Sequence, residues 1–134
     1  MANALYNTFK EGLLDKLFDL NSDTIKASLI DSADYTFSAA HDEYSGGSRD
    51  VALVAIVAES AALGSPTITN GVFDSADFAW STVSGDQSEA IILWDDTITN
   101  DRLIAFYDTG ITGMPVTPSG GNINVTVGTN WFSL

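Results

Sequence analysis

The chain has no cysteine, a single histidine and only five lysines and arginines among its 134 residues. Without cysteine there is no disulfide, thiolate metal site or cysteine nucleophile, and the redox compartment is left open. His41 stands alone, so no second imidazole is available for a zinc site. Its neighbours Asp42 and Glu43 would alternate between the faces of a strand, which does not assemble a nucleophile triad. The scarcity of basic residues works against direct binding to a nucleic-acid backbone, which needs clustered Lys and Arg to release counterions. No apolar run approaches the ~20 residues of a membrane helix; the longest, 51–58, has the length of a strand. No charged n-region followed by a long apolar stretch opens the chain, so no signal peptide is expected.

Acids, by contrast, are plentiful. Eighteen Asp and Glu residues give a formal charge of −13. Before Thr67 four bases meet ten acids, and from Thr67 onward one base meets eight, so the halves carry −6 and −7. The acidity is therefore spread and not gathered in a tail. Such a surface resists non-specific association, and it also suits a positively charged partner. A hydrophobic fraction of 45% and an aromatic fraction of 10% fit one globular core, and the expectation is a single domain over 1–134.

The stretch 89–108 is the centre of that core. Two runs dense in β-branched and aromatic residues, Glu89 to Asp96 and Asp101 to Asp108, flank a short polar segment. That pattern predicts an antiparallel hairpin, and apolar residues on both faces predict that both faces are covered.

Towards the N-terminus, Asn3 is a candidate N-cap for an amphipathic helix over about 3–20. Its stripe would be Tyr6, Phe9, Leu13, Leu17 and Leu20, with Gly12 weakening the middle. A strand is expected over 24–31 with Lys26 and Ser28 outward, followed by a long loop at about 32–50 with a mobile Ser45-Gly-Gly-Ser48 tip. The apolar run 51–59 predicts a central strand, although a run this short also fits a buried helix segment. Another short strand is expected to start at 67–69, before a turn at Asn70-Gly71; 72–74 and 78–80 are brief apolar pairs with acids between them. A Pro-Gly connection occupies 110–121. The segment 122–127 then alternates, with Ile123, Val125 and Val127 inward. Together these features predict a mainly β fold, an antiparallel β-sandwich with one N-terminal amphipathic α-helix.

No arrangement of side chains announces an enzyme. Asp19-Leu-Asn-Ser-Asp23 opens like a calcium loop, but Thr24 stands where the loop needs glycine and Ile30 where it needs glutamate. Asp74 with Asp77, and Asp95 with Asp96 and Asp101, are loop carboxylates that suit turns as well as calcium. Asp95 and Asp101 are the one pair that a glycosidase reading could use. The Gly-Gly pairs at 46–47 and 120–121 lack the context of a phosphate cradle. Trp80, Trp94 and Trp131 would serve as sugar platforms only if they were exposed. Neither a metal nor a cofactor is expected.

Several segments resemble, in order, a family of small virion structural proteins of tailed bacteriophages. They are Ala4-Leu-Tyr-Asn-Thr-Phe-Lys-Glu-Gly-Leu-Leu14, Asp23-Thr-Ile-Lys26 and Asp34-Tyr-Thr-Phe-Ser-Ala-Ala-His-Asp42. Asn70-Gly-Val-Phe-Asp74, Leu103-Ile-Ala-Phe-Tyr-Asp-Thr109 and Met114-Pro-Val-Thr-Pro-Ser-Gly-Gly-Asn-Ile123 complete the set. The chain departs from the family pattern in a short loop after His41 and in an unusually apolar 51–62.

The resemblance implies a capsid decoration (cement) protein on the major capsid protein lattice, made in the host bacterial cytoplasm and located on the virion. It would form a small cyclic homo-oligomer such as a trimer. A neck or tail component is the first alternative, and a carbohydrate-binding module on the virion is the second. Contacts to partners are expected at Tyr6, Phe9, Leu13 and Leu17 on the helix, Tyr44 and Arg49 on the loop, Met114 in the Pro-Gly segment, and Trp131 and Phe132 near the end. No nucleic-acid or membrane partner is expected.

Overall fold

The computed structural model describes residues 3–111, 113–126 and 130–134. The fold is mainly β, with antiparallel sheets and one short N-terminal helix. Strand β1 (Ala4–Leu5) leads into helix α1 (Asn7–Leu14) and strand β2 (Ile25–Ile30). Next come β3 (Ile56–Glu59), β4 (Thr67–Thr69), β5 (Val72–Asp74) and β6 (Phe78–Trp80). The predicted hairpin is β7 (Ala90–Asp95) and β8 (Arg102–Tyr107), followed by β9 (Ile123–Val125) and β10 (Phe132–Ser133). The expected inward residue Val127 lies outside the described residues.

The hairpin forms the middle of a five-stranded sheet ordered β1-β8-β7-β2-β3, with small sheets β10-β5-β4 and β6-β9 beside it. All six residues of β7 are buried, as are five of the six in β8. On one face the segment 32–50 lays Tyr35 and Phe37 against Phe106 and stacks Tyr44 on Trp94, with ring centres 4.1 Å apart. The other face meets the small sheets. There the Trp80 indole donates to the Ala27 carbonyl at 3.1 Å, and Tyr107 packs on Trp131 and donates to its carbonyl at 2.7 Å.

Three expectations are corrected. The helix spans 7–14, not 3–20. Asn3 is no cap: its side-chain oxygen accepts from the Asp108 and Thr109 amides and so clamps the end of β8, while extended Tyr6 stands at the N-cap. At the other end Lys16 adopts φ +63, and the Leu17 amide returns to the Gly12 carbonyl at 2.8 Å. This is a Schellman stop with lysine in the left-handed position. Gly12 is a seat and not a weak spot, since a Cβ there would lie 2.6 Å from the Phe18 ring.

The run 51–59 is not a central strand. Leu53–Ala55 form a 3-10 turn, only 56–59 extend, and they make the edge strand of the large sheet. Val51, before the turn, and Ala55, at its end, are buried, while Leu53 and Val54 are largely exposed. A short apolar run fits a helical turn as well as a strand, and here it is divided between the two.

Ser28, expected outward, is fully buried. The Trp94 indole donates to its Oγ at 2.8 Å, which leaves the serine proton for the Tyr44 oxygen at 2.6 Å. Tyr44 in turn donates to Glu59 Oε2 at 2.6 Å. The chain of donors therefore runs one way and ends on a carboxylate, so each buried polar atom in it is satisfied.

Candidate interaction surface

The end of α1, the reversal after it and the sheet β10-β5-β4 enclose an apolar cleft of about 390 Å³. Its position follows from the helix stop. Once Lys16 turns the chain back, Phe18 folds over Gly12 and meets Phe9 edge-on at 4.9 Å, and Phe9 meets Phe132 at 5.6 Å. Phe132 then packs on Phe73 at 5.4 Å across β10 and β5. Leu13, Leu20 and Ile68 complete the apolar lining, and Lys16 and Asp19 supply its charges. Leu14, next to Leu13 on the helix, and Leu17 in the reversal are both exposed, as are Ile68 and Leu134 of the cleft wall. Large apolar side chains gathered around one concavity mark a place where another surface can bury them.

The sequence-predicted contact residues divide accordingly. Leu13 and Phe132 line the cleft, and Leu17, between the lining residues Lys16 and Phe18 in the chain, is exposed. Tyr6, Phe9 and Tyr44 offer no surface, which corrects their assignment as contacts. Aromatic rings of that size are worth more inside the core than outside it. Tyr6 shares a hydroxyl contact of 2.8 Å with Tyr35, which is 2.8 Å from His41 Nδ1, so the one histidine is spent on fastening the loop. Arg49 is half-buried, and its guanidinium donates to the Tyr44 carbonyl at 2.8 Å. Met114 packs against the core from the Pro-Gly segment. Trp131 is half-buried, with its indole N–H on Ser75 Oγ at 2.8 Å. The sequence reading passed over Ile68 and Leu134; an isoleucine in a three-residue strand beside a turn was the available signal.

The loop at 32–50, expected to be mobile at its tip, is tied to the mouth of the hairpin. The amides of Tyr44 and Ser45 donate to the carbonyls of Asp101 and Asn100, and the Leu103 amide donates to the Asp42 carbonyl. Asp50 Oδ2 accepts from the amides of Asp42 and Glu43, and Arg102 pairs with Asp42. Gly46, at φ +85, sits where a Cβ would come within 2.7 Å of the Asn100 side chain.

The carboxylates behave as structural groups. Asp23 Oδ2 accepts from the Asp19 amide at 2.9 Å, the turn role that its position suggests. Asp95 is sealed from solvent and its Oδ1 accepts from the Thr97 amide at 2.8 Å, so it forms no wall of a glycosidase cleft with Asp101. Burial, and then the neighbouring Asp23 carboxyl, push its pKa up to about 7. Asp31, Asp34 and Asp86 bring one carboxylate oxygen each within 4.8 Å of the others. Asp34 and Asp86 are exposed, and Asp31 already accepts from the Ala33 amide at 2.9 Å, a turn arrangement that calls for no ion. Trp80 and Trp94 are core residues, so neither offers a platform to a sugar.

No family model matches the chain, and no curated protein matches it.

Proposed function

We propose that this chain is a non-enzymatic structural protein of a tailed-bacteriophage virion, and specifically a decoration protein that cements the major capsid protein lattice. The observation that carries the reading is the contrast between its polar and apolar side chains. His41, Arg49, Arg102, Asp42 and Asp95 are engaged in fastening loops to the sheet. Ile68 and Leu134 of the cleft wall, and Leu14 and Leu17 of the helix end and reversal, are left exposed. Among the described residues the polar groups are spent on structure, while apolar surface is left to bury. The resemblance of its sequence segments to virion structural proteins points the same way. On a symmetric lattice each copy needs only modest contacts, because repetition supplies avidity, and binding to the assembled shell stabilises it by mass action.

Quantitative protein analysis of purified particles tests the proposal. Hundreds of copies per virion are expected. A count on the order of six to twelve, one ring's worth, would move the chain to the neck or tail. Absence from the particle would reject the virion reading altogether.

A further inference from the structure

The sheet β10-β5-β4 ends at β4 with no strand beyond it, and all three residues of β4 are exposed. Asn70 and Gly71, at φ +54 and +78, make the two-residue turn between β4 and β5. Thr69 and Val72, which flank that turn, are therefore a hydrogen-bonded pair, as are Thr67 and Asp74 beyond them. Ile68 lies between these pairs, so its N–H and C=O point away from β5 towards the open edge. Among the described residues no other backbone group bonds to either. The Ile68 side chain shares a face with Phe73 and Phe132, its neighbours in one cross-strand row. That row forms a wall of the cleft and stops at Ile68, which is 51% exposed. Natural edge strands are usually guarded by lysine, a bulge or a covering segment. Thr67-Ile68-Thr69 has neither a lysine nor a bulge; its guards are its three-residue length and the preceding Pro66, which confine the open edge to Ile68.

We propose that β4 is a docking edge that takes an extended segment of a partner protein as a fourth strand. An apolar residue of that segment sits opposite Ile68 over the cleft, and Lys or Arg residues flank it. Strand addition supplies main-chain hydrogen bonds for affinity and a pocket for specificity, and the open edge beside the cleft offers both. Charge selects the occupant. Lys16 and Asp19 in the cleft lining offset one another, Asp74 stands across from Thr67, and the chain carries −13 overall. A second copy would bring another −13 to the same edge and be repelled, whereas a basic segment is attracted. This inference uses the virion reading only to say where the partner is found. The strand addition is tested on the isolated chain, so either can fail without the other.

The probe is a nine-residue peptide of alternating threonine and valine with two lysines at each end, titrated into the ¹⁵N-labelled full chain and followed by NMR. The expected result is saturable shifts at Ile68, Gly71 and Phe73, with slowed exchange of the Ile68 amide. Ile68→Lys should weaken binding by about tenfold or more, through lost apolar contact and added like charge. The same peptide N-methylated at its central valine, which cannot complete the ladder, should bind no better than a version with glutamate in place of lysine. Equal binding of the N-methylated peptide would overturn strand addition, and shifts elsewhere would overturn the site. A concentration-dependent dimer of the free chain that Ile68→Lys abolishes would assign the edge to a second copy and overturn the basic-partner proposal.

Discussion

Asp95→Asn should make the protein more stable at neutral and alkaline pH, and the structure sets the size of the effect. Asp95 ends β7 with no exposed surface; Oδ1 accepts from the Thr97 amide, and Oδ2 is buried without a donor. Burial and the Asp23 carboxyl move its pKa from the ordinary 3.8 to about 7. The folded state therefore holds this proton more tightly than the unfolded state does. Unfolding below pH ~4 or above pH ~7 changes no protonation at this group, but between those limits stability falls as pH rises. At 1.36 kcal/mol per pH unit, a rise of about three units makes the charged form cost about 4 kcal/mol by pH 8. Asparagine stays neutral, keeps an oxygen for Thr97 and presents an N–H₂ to Asp23. Urea unfolding of both proteins, followed by circular dichroism from pH 4 to pH 9, checks this. The two stabilities should lie close together at pH 4 and diverge to about 2–4 kcal/mol in favour of the asparagine variant at pH 8. Taking the difference cancels the general repulsion among the other acids. Parallel profiles across the whole range would refute a proton held at this position.

Gly12→Ala should destabilise the protein, although alanine is the better helix former. The gain of about 1 kcal/mol in helix propensity is outweighed by a Cβ 2.6 Å from the Phe18 ring, an overpacking cost of about 1–3 kcal/mol or more. A raised melting temperature would mean that Phe18 moves aside freely and that the cleft is not fixed by this seat. Tyr44→Phe keeps the stacking on Trp94 but removes the hydroxyl that joins Ser28 to Glu59. It should cost about 1–3 kcal/mol in chemical denaturation, the usual loss for a buried hydrogen-bonding partner left without its donor. No loss would show that water replaces the hydroxyl.

The deepest parts of the fold were legible because they obey one period. In β7 and β8 five of the six positions in each are apolar, and their β-branched and aromatic content on either side of a short polar segment favours strands buried on both faces. Asn70-Gly71 was equally clear, since both residues tolerate the positive φ that a two-residue hairpin turn demands. Ser28 was misplaced because alternation assigns a face but not what covers it. The cover is Tyr44, which comes from a loop 16 residues away and brings its own hydroxyl. At 51–55 the apolar residues fit two periods; the Ala55 amide closes a 3-10 turn on the Ala52 carbonyl, and the Ala55 carbonyl accepts from the Asp31 amide.

The candidate surface was half legible for a related reason. A stripe of Tyr6, Phe9, Leu13 and Leu17 reads as one helical face, and a continuous helix would have presented it to a single neighbour. Gly12 and Lys16 divide it instead. Gly12 leaves room for Phe18 to return over the helix, and the left-handed Lys16 lets the chain make that return. Tyr6 and Phe9 thereby go to the core, and Leu14 and Leu17 to the surface. The apolar stripe that looked like one contact face thus supplies both the anchor of α1 and the side chains exposed beside the cleft. It follows that removing residues 1–20 would take away β1 and two fully buried aromatics, and would test folding before it tested any partner. Substitutions at Leu14, Leu17 and Ile68, which add charge where the chain is already exposed, separate the two.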